Sequence, residues 1–286
     1  MKPWLELLKL RITVASTVTT FVGYAMARGR VDLPLLPVLA GIMLQACGAA
    51  ALNQVQDAVL DARMPRTAGR PIPSGRVNRG AALIYALLLL GAGSAVLWSV
   101  SGTAALLGLA AAVIYNGVYT PLKRVTPFAA LPGSFIGALP PVVGWVAAGG
   151  YLSDPTIHQV AFFFFLWQIP HFWLLLLFYE KDYADGGMPS LFDRFDRRQI
   201  VRLTFLWIAA VCVAALMIPL AALFDHKPAA WIIAGAGLLV VIRATSLLRA
   251  DAEELGPFVR NCRIRFMEIN TFALVVAAVL VVDSLV

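Results

Sequence analysis

Asn53, Asp57 and Asp61 stand four residues apart in the stretch NQVQDAVLD. In a helix that spacing places all three on one face, each a turn above the last. Two carboxylates so arranged repel each other unless a cation lies between them. Mg²⁺ suits such a place, because it takes one or two carboxylates and completes its shell with water and phosphate oxygens. Pro65 is expected to end the helix, and Arg66, Thr67 and Arg70 follow in a Pro- and Gly-rich loop. Guanidinium forks beside metal-holding acids make the other half of a diphosphate clamp. A salt-bridged helix end at a membrane surface would use the same residues, and spacing alone leaves both open.

Two further clusters carry chemistry. In WQIPHFWLLLLFYEKDYADGGMPSL, Asp182 and Asp185 are three apart and share a helical face, which continues back through Phe178, Leu175 and His171. At ~1.5 Å per residue, His171 lies roughly 16 Å below Asp182, unless Pro170 kinks the helix and shifts the phase. An ionisable ring at membrane depth is a functional candidate, and a neutral histidine bonded to a neighbouring helix is the alternative. In YNGVYTPLKRVTPF, Tyr115 and Tyr119 are one turn apart and Pro121 is expected to end the helix. Lys123 and Arg124 then fall at the level of the acids; an aromatic belt with basic loop charges would look the same.

The elements that position these groups are written in the composition. Of 286 residues, 60% are hydrophobic and 14% charged, with mean hydropathy +0.80, which excludes an ordinary soluble domain. Apolar windows fall at 10–27, 34–52, 80–100, 103–119, 127–148, 159–179, 202–223, 229–248 and 267–286. The expectation is an all-α membrane protein, a nine-transmembrane-helix bundle forming a single domain over 1–286. The first window is followed by another apolar segment, unlike a cleaved signal peptide. The connection RADAEELGPFVRNCRIR reads as a solvated loop or short helix without a motif. Cys47, Cys212 and Cys262 are widely spaced and read as small apolar fillers.

Charge distribution orients the bundle. The net charge is +7, yet of the 23 Lys and Arg only Arg28, Arg30 and Lys227 fall on the side opposite the N-terminus. That asymmetry places the N-terminus and the connections after even-numbered helices in the cytoplasm. It accounts for the basic balance without a nucleic-acid partner. Both acidic groups sit at helix ends on that same side, after helices two and six, and are expected to converge on one cytoplasmic mouth.

Together these parts suit a lipid diphosphate, with its head at the mouth and its tail among the helices. Metal and basic groups would stabilise diphosphate as a leaving group. Ionisation of an allylic diphosphate leaves a carbocation, which aromatic faces such as Tyr119 can shield and an electron-rich acceptor can attack. A transporter coupling ions through embedded acids is the alternative of another class. It expects those acids near the midplane rather than at helix ends.

The same residues resemble the UbiA superfamily of intramembrane prenyltransferases. Within it the chain looks most like the protoheme IX farnesyltransferase (heme O synthase) branch. LKLRIT with Thr20 and Gly23 is similar to that branch's LKPRIT…T..G. Asn53, Asp57, Asp61, Met64, Arg66, Thr67, Arg70, Pro71 and Gly75 match NxxxDxxxD..M.RT..RP.P.G. YTPLKRVTPF, GALPPVVGW, WQIPHFW and KDYADGGMPSL resemble further signatures. The resemblance implies a bacterial inner-membrane enzyme that uses farnesyl diphosphate and Mg²⁺ to farnesylate a vinyl carbon of heme b. It implies Asn53, Asp57 and Asp61 as the first metal–diphosphate motif and Asp182, beside Asp185, in the second. Arg66, Arg70, Lys123 and Arg124 would contact diphosphate, Tyr119 and Lys123 would stand at the reacting centre, and His171 would lie near the porphyrin. The chain departs from the branch at Ala58, where arginine is usual, at Pro65, and at Asp185 and Gly186. An aromatic acid or quinone precursor is the alternative acceptor.

Overall fold

The computed structural model describes residues 2–180, 187–219, 227–249 and 255–286. Asp182 and Asp185, the second acidic pair, lie outside the described residues. Among the described residues every regular element is helical. They are α1 (Lys2–Leu7), α2 (Leu10–Arg28), α3 (Leu35–Asp61), α4 (Arg79–Trp98), α5 (Gly102–Leu122), α6 (Pro127–Ala147), α7 (Pro155–Phe178), α8 (Arg197–Ile218), α9 (Lys227–Arg249) and α10 (Leu255–Leu285).

Local chemistry starts several of these helices where polar residues precede an apolar run. Asn78 accepts from the N–H groups of Gly80 and Ala81 at the head of α4, and Asp154 from Thr156 at the head of α7. Asp196 and Gln199 form a capping box on α8. Eight of the helices, α3 to α10, are long and apolar enough to cross a membrane among the described residues. α2 has 19 residues and carries Thr13, Ser16, Thr17, Thr19 and Thr20, which lower its hydropathy. The expected count of nine therefore stands at eight, with α2 packed among them.

Sequential helices pack side by side, and α10 closes the ring against α2 and α7. The tightest approach is between α2 and α6. A Cβ on Gly23 would stand 1.8 Å from the Pro141 carbonyl oxygen, and one on Gly144 would stand 1.8 Å from the Thr20 carbonyl oxygen. Small residues let the two backbones touch, as membrane helices require when no hydrophobic effect drives them together. Leu83, Ile84, Leu87 and Leu88 on α4 and Trp231, Ile232, Leu238 and Leu239 on α9 stay exposed, as lipid-facing surfaces do.

Several boundaries differ from expectation. α3 ends at Asp61 rather than at Pro65. Pro65 has no N–H for the Asp61 carbonyl and its ring would clash with that oxygen, so the helix stops four residues earlier. α5 runs through Pro121 to Leu122, and α7 is a continuous helix across Pro170. α10 begins at Leu255, so the stretch read as a solvated loop or short helix is, from there onward, the start of a 31-residue helix. Arg260, Arg263 and Arg265 had hidden it, yet Phe258, Cys262 and Arg265 are buried at helical spacing.

Candidate active site

Asn53, Asp57 and Asp61 occupy one face of α3 as the spacing predicts, and all three are buried. They line the mouth of a cavity of about 810 Å³. Alanine and glycine (Ala46, Ala49, Ala50, Gly108, Ala111, Ala112) give its wall room between α3 and α5. Aromatic rings of α5 and α7 complete it: Tyr115, Tyr119, Phe164, Trp167 and Phe172.

The cations come from three separate segments. From the loop after α3, the Arg70 guanidinium donates to both Asp61 oxygens at 2.8 and 2.7 Å. From the turn after α5, the Lys123 ammonium bonds Asp57 Oδ2, and Arg124 donates to Asp57 Oδ1 at 3.0 Å. Asn53 donates to Asp57 Oδ2 and to the Thr120 hydroxyl, both at 2.9 Å, which turns its own oxygen outward. Lys9, at the junction of α1 and α2, donates to that oxygen at 2.7 Å. Burial is the main force holding the Lys123 ammonium below the usual lysine range, against the pull of Asp57. Burial, reinforced by Arg70 and Lys123, pushes Lys9 down to about 7 against the pull of Asp57 and Asp61.

The salt-bridged reading of the triad is thus realised, but not at a solvated surface. Asp57 is 4% exposed and Asp61 7% at the side chain. Burying two carboxylates beside so many cations is costly as a way to gain stability. Such clusters in a cleft point to function. Among the described residues no three His, Cys, Asp or Glu side chains come together. Two carboxylates and an amide oxygen fit Mg²⁺ that takes its remaining ligands from phosphate and water.

Each segment is held by a device that sequence spacing only partly shows. The Asp61 carbonyl, denied its α-helical donor by Pro65, accepts a long bond from the Met64 N–H at 3.4 Å and the buried Thr67 hydroxyl at 2.9 Å. That bond folds the arginine loop back over the triad. On α5, Ile114–Tyr119 is wound as a π-helix. Pro121 cannot donate to the Asn116 carbonyl, which accepts the Gln56 amide at 2.9 Å instead, while Asn116 donates back to Gln56 Oε1 at 3.0 Å. This exchange ties α5 to α3 and brings Lys123 to Asp57. Tyr115 and Tyr119 stack at 6.0 Å, and Tyr119 stacks on Phe172 of α7 at the same distance.

Arg66 lines the cavity, and its guanidinium lies 5.1 Å from the ring centre of Tyr179, the residue that ends α7. The loop after α3 therefore meets the end of α7 directly, and Met188 to Leu191 return to the cavity wall beyond. Arg124 stands outside that wall, donating to the Gln56 carbonyl at 2.7 Å as well as to Asp57. His171 lines the cavity from α7 with Trp167 and Gln168. Ala58 is buried against α1 in a cluster with Leu7, Val55 and Ile72, away from the cavity.

Lys9 escaped the reading of motifs, although it lies in the LKLRIT stretch. Its backbone, at φ 48°, is the one non-glycine residue with positive φ among the described residues. The left-handed conformation costs an L-residue about 1–2 kcal/mol. It lets α1 and α2 meet at the angle that drops the ammonium onto Asn53. A lone basic residue before an apolar run carries no signal of this kind.

A mouth of acids and bases above an apolar, aromatic-walled chamber defines a polytopic membrane protein for an amphiphilic anionic ligand. The chain belongs to the UbiA prenyltransferase family, whose model matches residues 16–267, and it is a prenyltransferase. It is 35% identical to a protoheme IX farnesyltransferase of Nitratidesulfovibrio vulgaris (strain DP4), over 98% of this chain and 94% of the relative. It is 36% identical to another so named from Geobacter sulfurreducens, over 83% and 88%. Its fold is similar to that of a solved structure described for digeranylgeranylglyceryl phosphate synthase, with TM-score 0.80 and 15% identity over 99% and 98% of the two chains. A UbiA homolog from Archaeoglobus fulgidus bound to GPP and Mg²⁺ gives TM-score 0.73 and 15% identity over 96% and 99%.

Proposed function

We propose that the protein transfers the farnesyl group of farnesyl diphosphate to a vinyl carbon of heme b, after which water adds to form a hydroxyethylfarnesyl side chain. The observation that carries prenyl transfer is the buried triad, with its cations, at the mouth of the apolar cavity. The acceptor and chain length rest on relatives that bear the name protoheme IX farnesyltransferase over nearly the whole chain.

Asn53, Asp57 and Asp61 would hold Mg²⁺ together with Asp182 and Asp185, and the ion would neutralise the diphosphate as a leaving group. Arg66, Arg70 and Lys123 face the cavity and grip diphosphate oxygens. Arg124 works from outside the wall, keeping Asp57 in place. Substrate entry would exchange partners: Lys123 and Arg70 would leave the carboxylates for phosphate oxygens, and Asp57 and Asp61 would then be free to hold Mg²⁺. When the allylic carbon–oxygen bond breaks, its electron pair leaves with the diphosphate. The carbon left electron-poor is shielded by the Tyr119 ring between Tyr115 and Phe172. A vinyl carbon forms the new carbon–carbon bond, and water supplies the hydroxyl and gives up a proton.

The whole chain acts as one domain in a bacterial plasma membrane, with α2 as a ninth span. The N-terminus and the mouth face the cytoplasm, and the partners are the bilayer and the two substrates rather than nucleic acid. The test is turnover of purified protein with heme b, farnesyl diphosphate and Mg²⁺ in detergent or liposomes. The expected product is a heme heavier by one farnesyl group and one hydroxyl group in mass spectrometry. Unchanged heme, with prenylation of an aromatic acid or quinone precursor, would replace the acceptor and keep the reaction class.

A further inference from the structure

The helix face that carries the triad does not stop at Asn53. Followed back along α3 in steps of three and four, it presents Ala50, Ala49, Ala46, Gln45 and Ile42, all on the cavity wall. Facing it, α5 gives Ala112, Ala111 and Gly108 to the same wall. One branch of the cavity therefore runs down from the triad between small apolar residues. It ends at an amide.

Gln45 is 1% exposed, and its side chain reaches from α3 toward both α4 and α5. Its amide nitrogen donates to the Ser94 hydroxyl at 2.9 Å, and that hydroxyl donates to the Leu90 carbonyl at 2.8 Å. A hydroxyl has one proton, and Leu90 takes it, so Ser94 can only accept from Gln45. The nitrogen is thereby held on α4 and Gln45 Oε1 is turned to α5. There the oxygen has no hydrogen-bond partner among the described residues. It meets Gly108 instead, where an added Cβ would stand 2.0 Å from it. On α4, a Cβ on Gly93 would stand 2.9 Å from Gln45 Cγ. Two glycines make room for this one side chain, and the Gly108 Cα–H is the weak donor that its oxygen faces. Beyond it the space is filled, with Ile42, Tyr24, Leu97, Ala105 and Val143 packed as a buried core.

We propose that Gln45, seated on Gly108, is the floor of the prenyl chamber and sets the chain length that the enzyme accepts. This rests on the prenyl-transfer reading above and is independent of heme as the acceptor. From Asn53 to Gln45 is eight residues, a depth of about 12 Å at the helical rise. That depth is comparable to an extended chain of three isoprene units. A fourth unit must either pull Gln45 off Ser94 or press an apolar end against an unpaired carbonyl oxygen, and both are costly.

The experiment uses the purified full chain in detergent with Mg²⁺ and the thiolodiphosphate analogues of geranyl, farnesyl and geranylgeranyl diphosphate, which bind without reacting. Titration calorimetry reads donor affinity with no acceptor present. Competition among the three diphosphates, with heme b as acceptor, reads the same preference as product masses. Wild type should favour farnesyl about 10-fold or more over either neighbour, the least that an apolar pocket achieves for a single methylene. Gln45→Ala removes the floor and should bring geranylgeranyl level with farnesyl. Gly108→Ala drives a methyl against Gln45 Oε1, pushes the amide into the branch and should move the preference to geranyl. Combining the two substitutions relieves that clash and should restore binding of farnesyl. If Gly108→Ala does not fold, Ala49→Val, one turn above the floor, carries the shortening test. A length preference unchanged in the folded variants, or moved by Ala277→Leu on the α10 wall instead, would place the tail elsewhere and overturn the floor. Wild-type affinity that ignores chain length would overturn it as well. The expected length order without prenylated heme would uphold the floor and replace the acceptor, whereas failure to bind any donor would overturn prenyl transfer and the floor together.

Discussion

The Thr67 hydroxyl donates to the Asp61 main-chain carbonyl at 2.9 Å, taking the place of the N–H that Pro65 lacks. The bond is buried, and it is what turns the arginine loop back toward the triad. Thr67→Val keeps the shape and removes the donor, leaving the Asp61 carbonyl with only the long bond from the Met64 N–H at 3.4 Å. The expected cost is about 1 kcal/mol of stability, read as a lowered thermal midpoint in detergent. The KM for prenyl diphosphate should rise with it, and Thr67→Ser should restore both. Equal behaviour of the valine and serine variants would show that the hydroxyl does not hold the loop.

Asp57→Asn and Asp61→Asn test the metal face. Each keeps the size of the side chain and removes one carboxylate. Turnover should fall by more than ~100-fold, beyond the 10–100-fold typical of residues that only support metal ligands. Circular dichroism and gel filtration should still report a folded, monodisperse bundle. A folded variant that keeps metal-dependent turnover near wild type would remove Asp57 or Asp61 from the metal site.

Lys123 gives a prediction with opposite signs. In the structure its ammonium sits on Asp57, where it competes with a metal, and after exchange it would hold phosphate. Lys123→Met should therefore tighten Mg²⁺ binding to the substrate-free protein while raising the KM for prenyl diphosphate. Isothermal titration gives the first and steady-state kinetics the second. If both affinities move the same way, the exchange of partners is wrong.

Lys9 separates strain from function. Lys9→Gly relieves a left-handed backbone that costs about 1–2 kcal/mol, but it takes away the ammonium on Asn53. Thermal stability is expected to hold or rise while turnover falls about 10-fold, the loss of about 1.4 kcal/mol in the transition state. A parallel loss of stability would make Lys9 a folding residue only.

Tyr119 is expected to act through its ring face rather than its hydroxyl. Tyr119→Phe should keep turnover within about threefold of wild type. Tyr119→Leu should lose on the order of 30-fold, the worth of a desolvated cation–π contact of about 2 kcal/mol. Rates from rapid-quench measurements, with product release separated from chemistry, decide it. Loss of activity in the phenylalanine variant would instead assign the hydroxyl a part.

How much of this was legible beforehand depends on how local each feature is. The helical membrane class follows from composition. The shared face of Asn53, Asp57 and Asp61 follows from a spacing of four, and the stack of Tyr115 on Tyr119 follows from the same period. Helix ends were less secure, because the effect of Pro65 acts on the carbonyl four residues earlier, at Asp61. Charges in Arg260, Arg263 and Arg265 masked the first turns of α10, since a hydropathy window averages over faces that the helix keeps apart.

The amino-acid sequence by itself determined which residues share a helix face and that the chain belongs in a bilayer, because periodicity and composition are local properties. Only the tertiary structure decided who meets whom. Lys9 reaches Asn53 across 44 positions, Lys123 reaches Asp57 across 66, and Asn270 meets His171 across 99. No spacing encodes such pairs. They follow from which helices can approach most closely, and that was settled by backbone contacts such as Gly23 on Pro141 and Gly144 on Thr20.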